Sequence, residues 1–206
     1  MSFPRLIVFD FHKTISLDKK DLNRLLGPYK IDYRENIQPT GSLTVDSWYQ
    51  IFSGNNIDLD LIIPTWRELI QFISRVKTVR PDVIFAIASM IENDYIILGM
   101  MKYLFDIVQI ENPFNSDTVV ASLTFNKYGF MNLPGKQQHI MVITTNLGLQ
   151  DQITIGETVL IDDSEKNIIN TAPICGILAS DYFKISDWNK AQDSLDLPGC
   201  NYSKIN

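Results

Sequence analysis

The stretch Leu6-Ile7-Val8-Phe9-Asp10-Phe11-His12-Lys13-Thr14-Ile15 decides how this chain is read. An apolar run rich in branched side chains stops abruptly on an aspartate, and Thr14 follows within one turn's length. A short continuous apolar run predicts a strand buried on both faces, as in a parallel sheet. A strand that stops on a carboxylate delivers it to the carboxyl edge of the sheet, where open α/β sheets build their sites. Asp10 is therefore the first candidate for chemistry, and His12 bears on what that chemistry is.

Working outward, the same pattern recurs. Residues 83–88 are an apolar run that delivers Ser89, and residues 105–110 read as a third strand. Residues 158–161 form a fourth run ending in Asp162-Asp163, and residues 176–179 a fifth. Helical spacing marks 64–76, with Pro64 at its start, 92–104 with an acidic first turn, a segment opened by Lys136, and 185–195. Ser164 is placed to cap a further helix carrying Asn167. Strands alternating with helices predict an α/β fold, a doubly wound and mostly parallel sheet covered on both faces. Residues 119–125 and 128–131 are expected to form a hairpin arm.

One core domain is expected over 1–206, with 16–61 as a flap or small cap inserted in it. Within the flap, 16–26 reads as a short helix over the site. Residues 28–60 show no clear period and hold an aromatic patch of Trp48, Tyr49 and Phe52, read as packing within the flap.

Composition narrows the function classes. Hydrophobic residues make up 45% and charged residues 20%, enough for a sizeable core. The net charge of −6 leaves no basic surplus to displace counterions, which disfavours nucleic acid as a partner. The two cysteines, Cys175 and Cys200, have no metal-ligand spacing and suggest no disulfide framework. No apolar run reaches the roughly 18 residues that suggest a membrane span, and the N-terminus lacks a signal-like segment. The expectation is a protein of the cytoplasm or another reducing intracellular compartment, without membrane contact.

Asp10, Ser89, Lys136, Asp162 and Asp163 thus fall at equivalent places, at strand ends or at the start of the next helix. In a doubly wound sheet they share one crevice. An aspartate there can attack phosphorus and form an aspartyl-phosphate. Mg²⁺ favours oxygen ligands such as Asp10 and Asp162. Lys136 can neutralise nucleophile and phosphate together, and Ser89 can hydrogen-bond a phosphate oxygen. His139, one turn beyond Lys136, reads as a packed or surface histidine.

These residues carry a resemblance. Asp10-Phe11-His12-Lys13-Thr14 resembles the first motif of the haloacid dehalogenase-like (HAD) hydrolases, Asp-x-Asp-x-Thr, except at the second aspartate. Ser89 is similar to the second motif, Lys136 to the third, and Asp162-Asp163 with Asn167 to the fourth. The pattern looks most like the compact magnesium-dependent phosphatases of that superfamily. The resemblance implies Asp10 as nucleophile, His12 in the acid/base position with its backbone carbonyl on the metal, and Asp162 as metal ligand. It implies Ser89 and Lys136 on the substrate phosphate, with Thr14, Asp163 and Asn167 in support. It also implies a phosphorylated substrate, and the light covering of the site admits a phosphoprotein or another large phosphoester.

An imidazole at position 12 can still exchange protons near neutrality, but a cation beside Mg²⁺ is disfavoured. Two readings follow: a phosphatase with atypical or weakened turnover, and a pseudoenzyme that keeps the fold to bind a partner. A non-catalytic interaction module and a flavodoxin-like receiver fit the same element order, though the early Asp10 and late Asp pair suit the hydrolase better.

Overall fold

A computed structural model of the chain describes residues 4–29, 43–90, 93–121, 135–153, 155–179 and 181–193. The strands are β1 (Leu6–Asp10), β2 (Ile84–Ala88), β3 (Val119–Val120), β4 (Thr158–Asp162) and β5 (Cys175–Leu178). They form one sheet in the order β3-β2-β1-β4-β5, and every pairing is parallel. This is the expected α/β architecture. The apolar run of β1 becomes the central strand because it can hydrogen-bond on both edges and bury both faces. Its last residue, Asp10, lies level with Ala88 of β2.

Successive side chains of a strand point to opposite faces, so each strand feeds two cores. Ile7, Phe9, Phe85 and Ile87 face one core; Leu6, Val8, Ala86 and Ala88 face the other. The first core is covered by α4 (Trp66–Val79), α5 (Asp94–Val108) and α8 (Ile185–Asp193), the second by α6 (Gln137–Asn146). The helix α7 (Glu165–Thr171) packs against β5 where Gly176 leaves room for Ile168.

Several elements differ from the sequence reading. None of residues 105–110 is a strand; α5 runs through Val108 and closes on Gln109 in the left-handed conformation. The strand in that place of the sheet is β3, with two residues. Residues 43–62 are largely helical: α2 (Val45–Gly54), capped by Thr44, and α3 (Leu59–Ile62), capped by Asp58. Trp48 and Phe52 are buried in α2 and stack on each other. The helices α2 and α5 approach closely at Gly99, where a Cβ would lie 2.5 Å from the Cβ of Trp48. The first helix, α1 (Lys19–Leu26), starts after Asp18, whose side chain accepts the Asp21 N–H. Of the expected hairpin, 122–131 lies outside the described residues, as does 30–42 of the flap.

Cys175 is buried and disulfide-bonded, although the spacing of the two cysteines suggests no disulfide framework. Among the described residues, no helix is long and apolar enough to cross a membrane.

Candidate active site

The site is built at the carboxyl edge, from the ends of β1, β2 and β4 and the start of α6. After Asp10 the chain folds back on itself at once. Lys13 takes a positive φ of 59°, and the amides of Ile15 and Ser16 both donate to the carbonyl of Phe11. The Lys13 amide donates to Ser16 O. These bonds hold a left-handed residue that would otherwise cost about 1 kcal/mol. The turn buries Thr14, whose carbonyl accepts the Phe183 N–H.

Lys136 is the residue on which the site closes. It stands 126 residues from Asp10 in sequence, yet its ammonium donates to Asp10 Oδ1 at 2.6 Å and to the Ala88 carbonyl at 2.9 Å. Its side chain is 1% exposed. A buried ammonium needs such partners, since an unpaired one costs several kcal/mol. Asp10, Asp162 and Asp163 offer carboxylate oxygens that all lie within 4.8 Å of one another. Burial pushes the Asp10 carboxyl up to about 6; Lys136 opposes this, and the charge of Asp162 adds to it. Burial, then Asp162, also pushes Asp163 up.

The residues that end and follow β4 are tightly tied. Asp162 is fully buried, and its Oδ1 accepts the Ser164 N–H at 2.8 Å. The Asn167 side-chain amide lies 3.1 Å from both Asp162 oxygens. Ser164 caps α7 by accepting the Asn167 N–H.

Ser89 is fully buried just beyond β2, its amide bonded to Val120 O. His139 Nε2 lies 2.9 Å from the Ser89 carbonyl, so this buried histidine holds the turn that presents the serine. Of the two places the sequence allows His139, packed or on the surface, the structure shows the packed one; the bond to Ser89 has no sequence signal. Thr171 is a second residue missed. Its hydroxyl accepts the Lys136 N–H at 2.9 Å and donates to Asn167 O at 2.7 Å. The one clue is its place four residues after Asn167 on a helix, where threonine commonly bonds backward.

His12 is half-buried, and its Nδ1 lies 2.8 Å from the Leu17 carbonyl. A carbonyl only accepts, so Nδ1 carries the hydrogen and Nε2 is the basic nitrogen of the neutral ring. Burial holds the ring's pKa below its ordinary value, and Lys136 pushes the same way.

The donor set fits a hard divalent cation. Three crowded carboxylates face one ammonium, and Asp10 and Asp163 are raised by burial first and by their carboxylate neighbours after it. Oxygen-only ligation by carboxylates is the chemistry Mg²⁺ favours. Asp163 also lines a polar cavity of about 380 Å³, shared with Lys13, Asp18, Asp21, Asp181 and Tyr182. The structure thus brings together Asp10, Lys136, Asp162 and Asp163, with Asn167 on Asp162. It sets Ser89 beside Ala88, whose carbonyl binds the lysine.

No family model and no curated protein matches this sequence. Among solved structures, the chain is similar to a HAD-superfamily hydrolase from Ehrlichia chaffeensis, with 14% identity and a TM-score of 0.41 over 89% of this chain and 93% of that one. It is similar to a HAD-like family hydrolase from Porphyromonas gingivalis at 17% identity, TM-score 0.41, covering 86% and 91%. A defluorinating L-2-haloacid dehalogenase aligns at 14% identity, TM-score 0.42, covering 82% and 77%.

Proposed function

We propose that this chain is a HAD-type hydrolase, a magnesium-dependent phosphatase that transfers the phosphoryl group of a phosphomonoester to Asp10. The observation that carries the reading is the buried Asp10–Lys136 pair at 2.6 Å, set among the Asp162 and Asp163 carboxylates at the carboxyl edge. Asp10, Asp162 and the His12 carbonyl would hold the Mg²⁺, which when bound supplies charge neutralisation for the carboxylates and the phosphate.

An Asp10 oxygen attacks phosphorus, and the bond from phosphorus to the leaving oxygen breaks. Lys136 keeps the attacking carboxylate ionised and meets the charge gathering on the phosphoryl oxygens. The Ser89 hydroxyl donates to one of those oxygens. Water then attacks the phosphorus of the aspartyl-phosphate and releases inorganic phosphate, restoring the Asp10 carboxylate.

His12 divides these two half-reactions. Its neutral ring offers Nε2 as a base, which suits removal of a proton from the attacking water. The same ring has no second proton to give to a leaving alkoxide. Esters whose leaving group needs no proton, such as aryl phosphates, are therefore the substrates turned over best. The acidic lining of the adjoining cavity repels polyanions, so a phosphoprotein or other large phosphoester suits the site better than a nucleic acid.

The test is hydrolysis of an aryl phosphate with Mg²⁺ and with EDTA. Turnover should require the metal and vanish in Asp10→Asn, and His12→Asp should raise it, most for alkyl phosphates. Metal-independent halide release from a 2-haloacid, or activity surviving Asp10→Asn, would overturn the reading. The protonation state of His12 also favours a second reading, a binding protein with impaired turnover. That reading predicts metal-dependent stabilisation by a beryllium fluoride complex without catalysis.

A further inference from the structure

We propose that Thr171 is the positioning residue for Lys136, and that its hydroxyl sets how far the ammonium reaches into the site. The catalytic consequence rests on the phosphatase reading; the positioning itself does not. One chain of hydrogen bonds joins the two sides of the site. Asn167 binds both oxygens of Asp162 through its side chain. The carbonyl of the same residue accepts the Thr171 hydroxyl. The Thr171 oxygen accepts the Lys136 N–H. The Lys136 ammonium then closes on Asp10 and Ala88 O.

The packing around this chain is close. Thr171 is 1% exposed. Gly135 stands at φ +59°, and a Cβ there would lie 2.6 Å from Thr171 Oγ1 and 2.9 Å from Asn167 O. Only glycine combines that backbone conformation with that approach. Gln137 adds a second clasp, its side-chain amide donating to Asn170 O and Ala172 O. The start of α6 is thus strapped to the end of α7. A lysine side chain is long and flexible, so its reach is fixed from the backbone end. The strap supplies that fixed point, and it is tied to the residue that orients Asp162.

Thr171→Val removes both hydrogen bonds while nearly keeping the shape, and Thr171→Ser keeps the hydroxyl. Two readouts are taken on folded protein: steady-state kinetics with an aryl phosphate, and acylation of the Lys136 amine followed by mass spectrometry. Thr171→Val should lower kcat on the order of 10²-fold, the scale of an ångström's misplacement, with a smaller change in KM. It should also expose Lys136 to the reagent. Thr171→Ser should restore both.

If Thr171→Val does not fold, Gly135→Ala, which forces the same two segments apart, takes its place and should also expose Lys136. Wild-type kcat and wild-type labelling in Thr171→Val would overturn the proposal. So would equal losses in Thr171→Val and Thr171→Ser, which would mark a packing role. A wild-type protein without phosphatase activity, whose Lys136 is unmasked by Thr171→Val but not Thr171→Ser, would sustain the positioning and overturn the phosphatase reading.

Discussion

Acid should destabilise this fold through His139. The ring is buried beside β2, and burial, followed by the charge of Lys136, lowers its pKa from 6.5 to about 3. The native state keeps it neutral, whereas the unfolded chain takes up a proton below 6.5. Between those values the unfolded state binds more protons, so stability falls as pH falls. Each pH unit removes about 1.4 kcal/mol. At about pH 4 the loss from this one ring is about 3 kcal/mol, or roughly 6–12 °C in Tm for a chain of this size. Asp10 acts with the opposite sign, because its raised carboxyl binds a proton more tightly when folded and so favours the folded state in acid. A raw acid curve mixes the two. His139→Gln separates them, since glutamine keeps an N–H donor for the Ser89 carbonyl and takes up no proton. Urea titrations in EDTA should find the variant about 1 kcal/mol less stable near neutrality. At about pH 4 the order should reverse, with the variant the more stable by about 2 kcal/mol. Parallel curves from neutrality to acid would refute the buried, neutral histidine.

Other expectations follow from the same geometry. Lys136→Met should abolish phosphatase turnover and, by leaving a buried carboxylate unpaired, lower stability by about 3 kcal/mol in urea; unchanged stability would contradict a buried ion pair. Gly99→Ala should lower stability by about 1–2 kcal/mol through the clash with Trp48. Alanine's better helix propensity pushes the other way by about 1 kcal/mol, so a stabilised variant would show that α2 and α5 do not pack this closely.

The parts of the site legible in the sequence were those delivered by strand ends. Asp10, Ser89 and Asp162 each follow an apolar run, and a strand's end fixes where its next residue lies. Lys136 was legible as a helix start. The misread third strand shows the limit of apolar runs. Residues 105–110 are apolar enough for a strand, yet 105–108 continue the helix, with Phe105 and Val108 on the buried face of Ile97, Met101 and Leu104, and a short run does not separate the two. The real β3 has only Val119 and Val120, too short to stand out. In α2 the helical spacing of Val45, Trp48 and Phe52 was present, with Thr44 as its cap, but nearby glycines and asparagines obscured it. Thr171 and His139 were illegible as site residues because their partners come from distant elements, and only the packing of α6 on α7 and β2 brings them together.

The central place of β1 also matters during synthesis. Leu6 pairs with Ile84 on one edge and with Thr158 on the other. At translation rates of about 5–20 residues per second, the second partner arrives roughly 8–30 s after the first strand is made. Through that interval an apolar strand has an open edge, a template for pairing with other chains. Arg5 and Asp10 bracket the run Leu6-Ile7-Val8-Phe9 with charges, the gatekeeper arrangement that discourages such pairing. The carboxylate that closes on Lys136 in the finished protein thus also puts a charge at the end of a strand whose second edge stays open until β4 is made.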